Sequence, residues 1–227
     1  MFFLNLIVLT STHTQSNPAY DRYVYPLAPA KPCPRVEIDS SKTPSQKPWL
    51  ETAAKLVRSW YPSVTSVLAT TNWKSPTVIK LELDPNIDAP AYTVNSTITI
   101  NSKWIQSHPD DFGMVIHELT HVVQGYPDSD TTLGWLVEGI ADYVRWWRYE
   151  PDAPRTRIDF SKATYHDAYR TTAYFLAWVG HKYNFGLVPA LDGDMRAKKD
   201  PMLEFQKLTG KSADALWQEF SQSMQSK

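Results

Sequence analysis

The sequence predicts an α+β domain, and three observations carry that reading. Segments rich in β-branched residues fall in the first half of the chain, helical apolar stripes fill the second half, and no internal repeat runs through either. The 227 residues make one ordinary domain, and 13% aromatic residues are far too much burial-prone surface for a solvated coil. Lys and Arg (23) nearly balance Asp and Glu (24), so no basic field exists to hold a phosphate backbone, and nucleic acid is excluded as a partner. The single Cys33, in Lys31-Pro32-Cys33-Pro34, has no internal disulfide partner.

Residues 2–9 form a short apolar run followed by Ser, Thr and Gln, which reads as the core of a secretory signal. The run is too short to span a bilayer, which takes about 20 apolar residues. Residues 1–16 are therefore read as a signal peptide and the protein as secreted, with no membrane span. The rival reading is an apolar terminal strand packed on the domain. On a eukaryotic secretory route, Asn95-Ser96-Thr97 would be an acceptor triplet for N-glycosylation. The closely spaced Pro26, Pro29, Pro32 and Pro34 make residues 17–34 a Pro-rich extended linker, so the folded domain is expected over 35–227.

Within that domain Val36-Glu37-Ile38 alternates as a first strand. Leu50, Ala53, Ala54, Leu56, Val57 and Trp60 then recur at helical spacing over 49–60, with Pro48 suited to the first turn and Tyr61-Pro62 expected to end the helix. Residues 77–83 read as a strand by their β-branched content, and 91–101 as a hairpin turning near Asn95-Ser96. In the second half Phe112, Val115, Ile116, Leu119, Val122 and Val123 form one apolar stripe, on a helix opening near Pro109 and closing at Gly125. Further helices are expected over 133–147, 163–183 and 212–224.

The first of these helices carries His117-Glu118-Leu119-Thr120-His121, the H-E-x-x-H pattern of zinc peptidases. Residues four apart stand one helical turn above each other, so His117 and His121 can converge on a single tetrahedral ion. Glu118 is rotated by about 100° from His117, toward the open coordination position, where it can take a proton from water. On the next helix Glu138 and Asp142 interrupt the nearly apolar segment 134–144. Like charges at this spacing repel, and burying them unpaired is costly, so a cation should lie between them. Zinc with a coordinating imidazole fits, with Glu138 as third ligand and Asp142 as the acceptor that orients His117. The bland alternative places both carboxylates in water at one edge of the helix.

The run HELTHVVQ followed by WLVEGIADYVR closely resembles the basic secretory protein family, secreted metallopeptidases of plants, fungi and bacteria placed among the gluzincins. The similarity extends from about residue 35 to the C-terminus and takes in residues 168–176, Leu208-Thr209-Gly210-Lys211 and Leu216-Trp217. The resemblance implies zinc held by His117, His121 and Glu138, with Glu118 catalytic. It also implies a minimal zincin (thermolysin-like) fold, in which a small mixed sheet packs on the metal-binding helix beside a helical C-terminal half. The Glu-x-x-x-Asp pair is similar to that of thermolysin-like peptidases, which supports the outer role of Asp142. Tyr169 falls on the family's matching tyrosine and is the expected donor to the oxyanion, with His166 next and Tyr165 also on offer, although an aromatic on such a helix is more often core packing than catalyst. Two departures stand out. The chain has Tyr169-Arg170-Thr171-Thr172-Ala173-Tyr174 where the family's pattern is Tyr-Asp-Val-Thr-Ala-Arg, and its near-neutral charge does not match the family's name.

The expected activity is hydrolysis of peptide bonds in a peptide or protein substrate by a monomeric, secreted zinc enzyme, with Glu118 as general base. An endopeptidase is preferred because no second acidic motif for a free amino group precedes His117. An extended substrate would add to the sheet edge, with Tyr92 to Val94 as backbone contacts. The alternative is a catalytically weak zinc-containing defence or binding protein, against which the intact Glu118 speaks. A carbohydrate-acting protein ranks below both, because no carboxylate pair is more persuasive as an acid/base couple than as a metal site. Arg145-Trp146-Trp147-Arg148 reads as packing and surface, and His13, His108 and His181 as structural or exposed.

Overall fold

The structure, a computed structural model, describes residues 29–68, 72–127, 131–155 and 157–225. The expected signal peptide and the linker as far as residue 28 lie outside the described residues. Those residues form a mixed α+β domain with one four-stranded sheet and eight α-helices.

Strand β1 (Arg35–Asp39) leads through a 3-10 turn (Pro44–Gln46) into α1 (Lys47–Leu68), followed by β2 (Val78–Asp84), β3 (Ala91–Val94) and β4 (Thr97–Asn101). The sheet order is β1-β2-β4-β3; β1 and β4 run parallel to β2, and only β3 is antiparallel to its neighbour. The strict alternation of β2 buries Ile79, Leu81 and Leu83 on one face, and Ile98 and Ile100 of β4 join them. The expected hairpin is present: Asn95 adopts φ 55°, and β3 is left as an edge strand.

Helix α1 does not end at Tyr61-Pro62 as expected. It continues through Pro62 to Leu68. Proline in a helix interior loses the bond to the carbonyl four residues back, but the continuation buries Tyr61, Val64 and Leu68 at 1% exposure or less. Asn101 closes β4 and caps α2 (Ser102–Ser107), its side chain accepting from the N–H groups of Lys103 and Trp104.

The central helix α3 (Gly113–Gln124) starts later than Pro109 and ends as expected at Gly125, whose φ of 39° turns the chain out. Eleven of its twelve residues are buried, because it is flanked by α1, β3 and α4. Its last carbonyls, Val123 and Gln124, accept from Arg196, which the fully buried Asp192 holds at 3.1 Å. Helix α4 (Gly134–Tyr143) passes into a π-helical turn (Val144–Tyr149), where one uninterrupted helix was expected. Helix α5 (Tyr169–Lys182) also begins later than expected, because residues 163–168 form a turn closed by Thr164 and Asp167. Helices α6 (Leu187–Arg196) and α7 (Met202–Thr209) were not foreseen, and α8 (Ala213–Gln225) closes the domain. Among the described residues no helix is long and apolar enough to cross a membrane.

Candidate functional site

Helices α3 and α4 meet so that His117, His121 and Glu138 present ligand atoms that all lie within 4.8 Å of one another. Nε2 of His117 lies 3.0 Å from Nε2 of His121 and 3.0 Å from Oε2 of Glu138, and the His121–Glu138 separation is 3.5 Å. Glu138 therefore does not sit in water at a helix edge, and neither does Asp142. Asp142 is buried and accepts from Nδ1 of His117 at 2.7 Å.

The tautomers follow from the outer partners. Asp142 can only accept, so Nδ1 of His117 carries the hydrogen. For His121 the deciding residue is Gln124: its amide nitrogen donates to the carbonyl of Val137 at 3.0 Å, which leaves its oxygen to accept from Nδ1 of His121 at 2.7 Å. Both Nε2 atoms thus turn inward with a carboxylate beside them. Lone pairs converging at 3.0 Å repel unless a proton or a metal cation lies among them. Burial opposes a charged His117, but its bonds to Asp142 and Glu138 outweigh that and push its pKa up to about 10. Burial likewise opposes a charged Glu138, and the two imidazoles pull it down to about 2. The donor set, two imidazole nitrogens and a carboxylate oxygen, fits a divalent metal.

Glu118, one residue beyond His117, is buried against the sheet, where the hydroxyl of Thr93 on β3 donates to its Oε2 at 2.7 Å. The cluster opens into a cavity of about 940 Å³ bounded by β3 (Ala91 to Thr93), α3, α4 and the start of α5. The cleft thus lies between the sheet's edge strand and the helical half of the chain.

Of the three aromatic candidates near α5, only Tyr169 lines the cavity. Its ring stacks near that of His117, at 6.1 Å and 19°, and it is 54% exposed. The negative charge of Glu138, and then burial, raise its pKa. Tyr165 is excluded by burial, its hydroxyl donating to Asp214 on α8, and His166 sits edge-on to Trp135. Tyr169 owes its place to an unusual backbone: Ala168 adopts φ 62°, ψ −172° and Tyr169 φ 45°. Such angles strain a residue with a Cβ and persist only where the surroundings impose them. Here Thr172 donates to the carbonyl of Tyr165 at 2.7 Å and packs on Gly139, where a Cβ would clash with the Thr172 methyl group.

Gln124 was not identified as a contributor from the sequence, and Thr93 was expected only as one of the backbone contacts of Tyr92 to Val94, not as a side-chain partner of Glu118. Gln124 stands three residues after His121, a spacing that signals contact on a helix; Thr93 had no local signal. Arg145 and Trp146, read as packing and surface, also line the cavity, while Trp147 is in the core. His108 stacks on Trp104 and His181 against Phe185, both away from the cluster.

No curated protein and no solved structure matches the chain significantly. Residues 40–220 match the family model BSP, described as peptidase of plants and bacteria. The match covers roughly four-fifths of the sequence and spans every residue of the cluster, so the chain belongs to this family of peptidases.

Proposed function

We propose that the protein is a secreted zinc-dependent endopeptidase of the gluzincin kind, with a thermolysin-like zincin domain over 35–227. The observation that carries this reading is the convergence of His117 Nε2, His121 Nε2 and Glu138 Oε2, each imidazole tied by its other nitrogen. These three residues would hold the ion. When bound, zinc supplies a Lewis acid that lowers the pKa of the attacking water to about 7 and polarises the scissile carbonyl. Glu118 accepts the proton of that water as it attacks and returns it to the leaving amine. Asp142 and Gln124 keep both imidazoles in the tautomer that turns Nε2 inward. The Tyr169 phenol donates to the oxyanion that develops on the carbonyl. An extended peptide lies beside β3, whose outer edge borders the cavity, and pairs with its free backbone groups.

The test is zinc stoichiometry together with cleavage of casein by a monomeric preparation. Wild type is expected to bind one equivalent and to cleave; Glu138→Ala to lose the ion; Glu118→Ala to keep the ion and lose activity. Equal cleavage by wild type and Glu118→Ala would refute the mechanism. Zinc binding with no cleavage of any peptide would favour the defence or binding protein.

A further inference from the structure

Gln124, the last residue of α3, is buried and bonded on every side. Its side-chain oxygen accepts from Nδ1 of His121 at 2.7 Å, its amide donates to the carbonyl of Val137 on α4 at 3.0 Å, and its own carbonyl accepts from Nη1 of Arg196 on α6 at 2.8 Å. The two histidines are therefore held differently. His117 is oriented by Asp142, which lies inside the helical run that α4 continues into its π-helical turn. His121 is oriented from the terminal turn of its own helix, where the last four carbonyls lack partners within the helix and the turn frays unless something outside binds them.

The N–H of Gly125 takes the carbonyl of His121 at 3.0 Å, and Arg196 takes the last two, Val123 at 3.0 Å from Nη2 and Gln124 from Nη1. A guanidinium is suited to this place, because its fork of donors spans two neighbouring oxygens and its charge opposes the negative end of the helix dipole. Asp192, one turn earlier on α6 and fully buried, balances that charge: both of its oxygens lie 3.1 Å from Nη2. Its Oδ1 also accepts from the hydroxyl of Tyr126 at 2.9 Å, a residue that lines the cavity with Gln124. The rings of Trp73 and Tyr126 lie 5.4 and 5.6 Å from the guanidinium and confine it further.

We propose that Arg196, held by Asp192, is a positioning residue for the metal site: by binding the carbonyl of Gln124 it fixes the side chain that keeps Nε2 of His121 turned inward. A determinant of zinc affinity then lies on α6, a helix that supplies none of the three ligands. This inference rests on the zinc reading of the cluster and deepens it.

The experiment measures zinc affinity of the full chain by competition with a coloured chelator, in a double-mutant cycle. Gln124→Met is expected to weaken zinc by about tenfold to a hundredfold, and Arg196→Met, one bond further from the ion, by about threefold to tenfold. The double variant should bind no more weakly than Gln124→Met alone, because the arginine acts only through that residue. Arg196→Lys, which keeps the charge and a donor, should regain part of the affinity. Arg196→Met leaves Asp192 buried without its cation, so Asp192→Asn combined with Arg196→Met repeats the test in a chain free of that charge. Phe220→Leu on α8, equally deep but packed on α5, should lose stability and keep the wild-type affinity. Unchanged affinity in the Arg196 variants overturns the inference and leaves the zinc peptidase standing. Equal losses in Phe220→Leu and Arg196→Met, or additive losses in the cycle, assign Arg196 a general structural role and also overturn it. Should wild type bind no zinc, the metal reading fails, and heteronuclear NMR of the imidazole nitrogens decides the inference by itself. Loss of the Nδ1 hydrogen preference of His121 in Asp192→Asn/Arg196→Met, with His117 unchanged, supports it; His121 signals identical to wild type overturn it.

Discussion

The hydroxyl of Thr93 donates to Glu118 at 2.7 Å, tying the edge strand of the sheet to the residue between the two histidines of α3. The same oxygen lies 3.1 Å from the backbone carbonyl of Glu118, so this hydroxyl reaches both the side chain and the main chain of that residue. A general base must be held within a fraction of an ångström of its working position. Thr93→Val keeps the shape and removes the donor. It is expected to lower kcat by about tenfold to a hundredfold with little change in KM, and Thr93→Ser should restore most of the rate. Steady-state kinetics on one peptide checks both.

Asp142 orients His117 from the side away from the cluster. Asp142→Asn removes the charge that stabilises the inward-facing tautomer, and zinc affinity is expected to fall by about tenfold to a hundredfold. Competition titration against a coloured chelator measures this directly, whatever the activity.

Gly139 lies between Glu138 and the helix that carries Tyr169, with Thr172 pressed against it. Gly139→Ala forces α4 and α5 apart. Overpacking of this kind costs about 1–3 kcal/mol. For a domain of this size that corresponds to a fall in Tm of about 2–12 °C. Calorimetry should show the fall, and the displaced Glu138 should weaken zinc binding in the same variant.

Ala168 occupies a backbone region that glycine enters freely, φ 62° with ψ −172°. Relief of strain by Ala168→Gly should exceed the added entropy of the unfolded chain and raise Tm by about 2–4 °C. A lower Tm would mean that the observed backbone is not strained.

Glu219 accepts from Lys182, Lys211 and Tyr183, and these bonds pull its pKa down to about 2 from 4.5. The folded value is below the unfolded one, so the folded state holds the ionised form more tightly. The resulting stability is present above about pH 4.5 and is lost as pH falls toward 2. Glu219→Gln should flatten the stability–pH curve in that window; denaturant midpoints measured at pH 5, 4 and 3 test it.

Much of the site was legible because its spacing is helical. A turn of α-helix puts His117 above His121 and Glu138 above Asp142 whatever the rest of the chain does, and two acids in an apolar stretch raise the expectation of a cationic partner before any coordinate is known. The β3–β4 hairpin and its turn at Asn95 were likewise local, set by strand-forming residues on either side of a residue tolerant of positive φ. Helix ends were less legible: Pro62 and the π-helical turn after Tyr143 depend on what the continuing segment buries, not on its own propensity.

Taken alone, the sequence determined which side chains share a helical face, and with them the two histidines, the intervening glutamate and the paired carboxylates. Only the tertiary structure decided that Glu138 closes on both imidazoles, that Thr93 bonds Glu118 and Gln124 bonds His121, that Tyr169 rather than Tyr165 or His166 lines the cavity beside them, and that Arg170 rests on Trp146. Backbone hydrogen bonding fixes direction within one element, whereas contact between elements is set by how their buried surfaces pack, and no short-range periodicity encodes that.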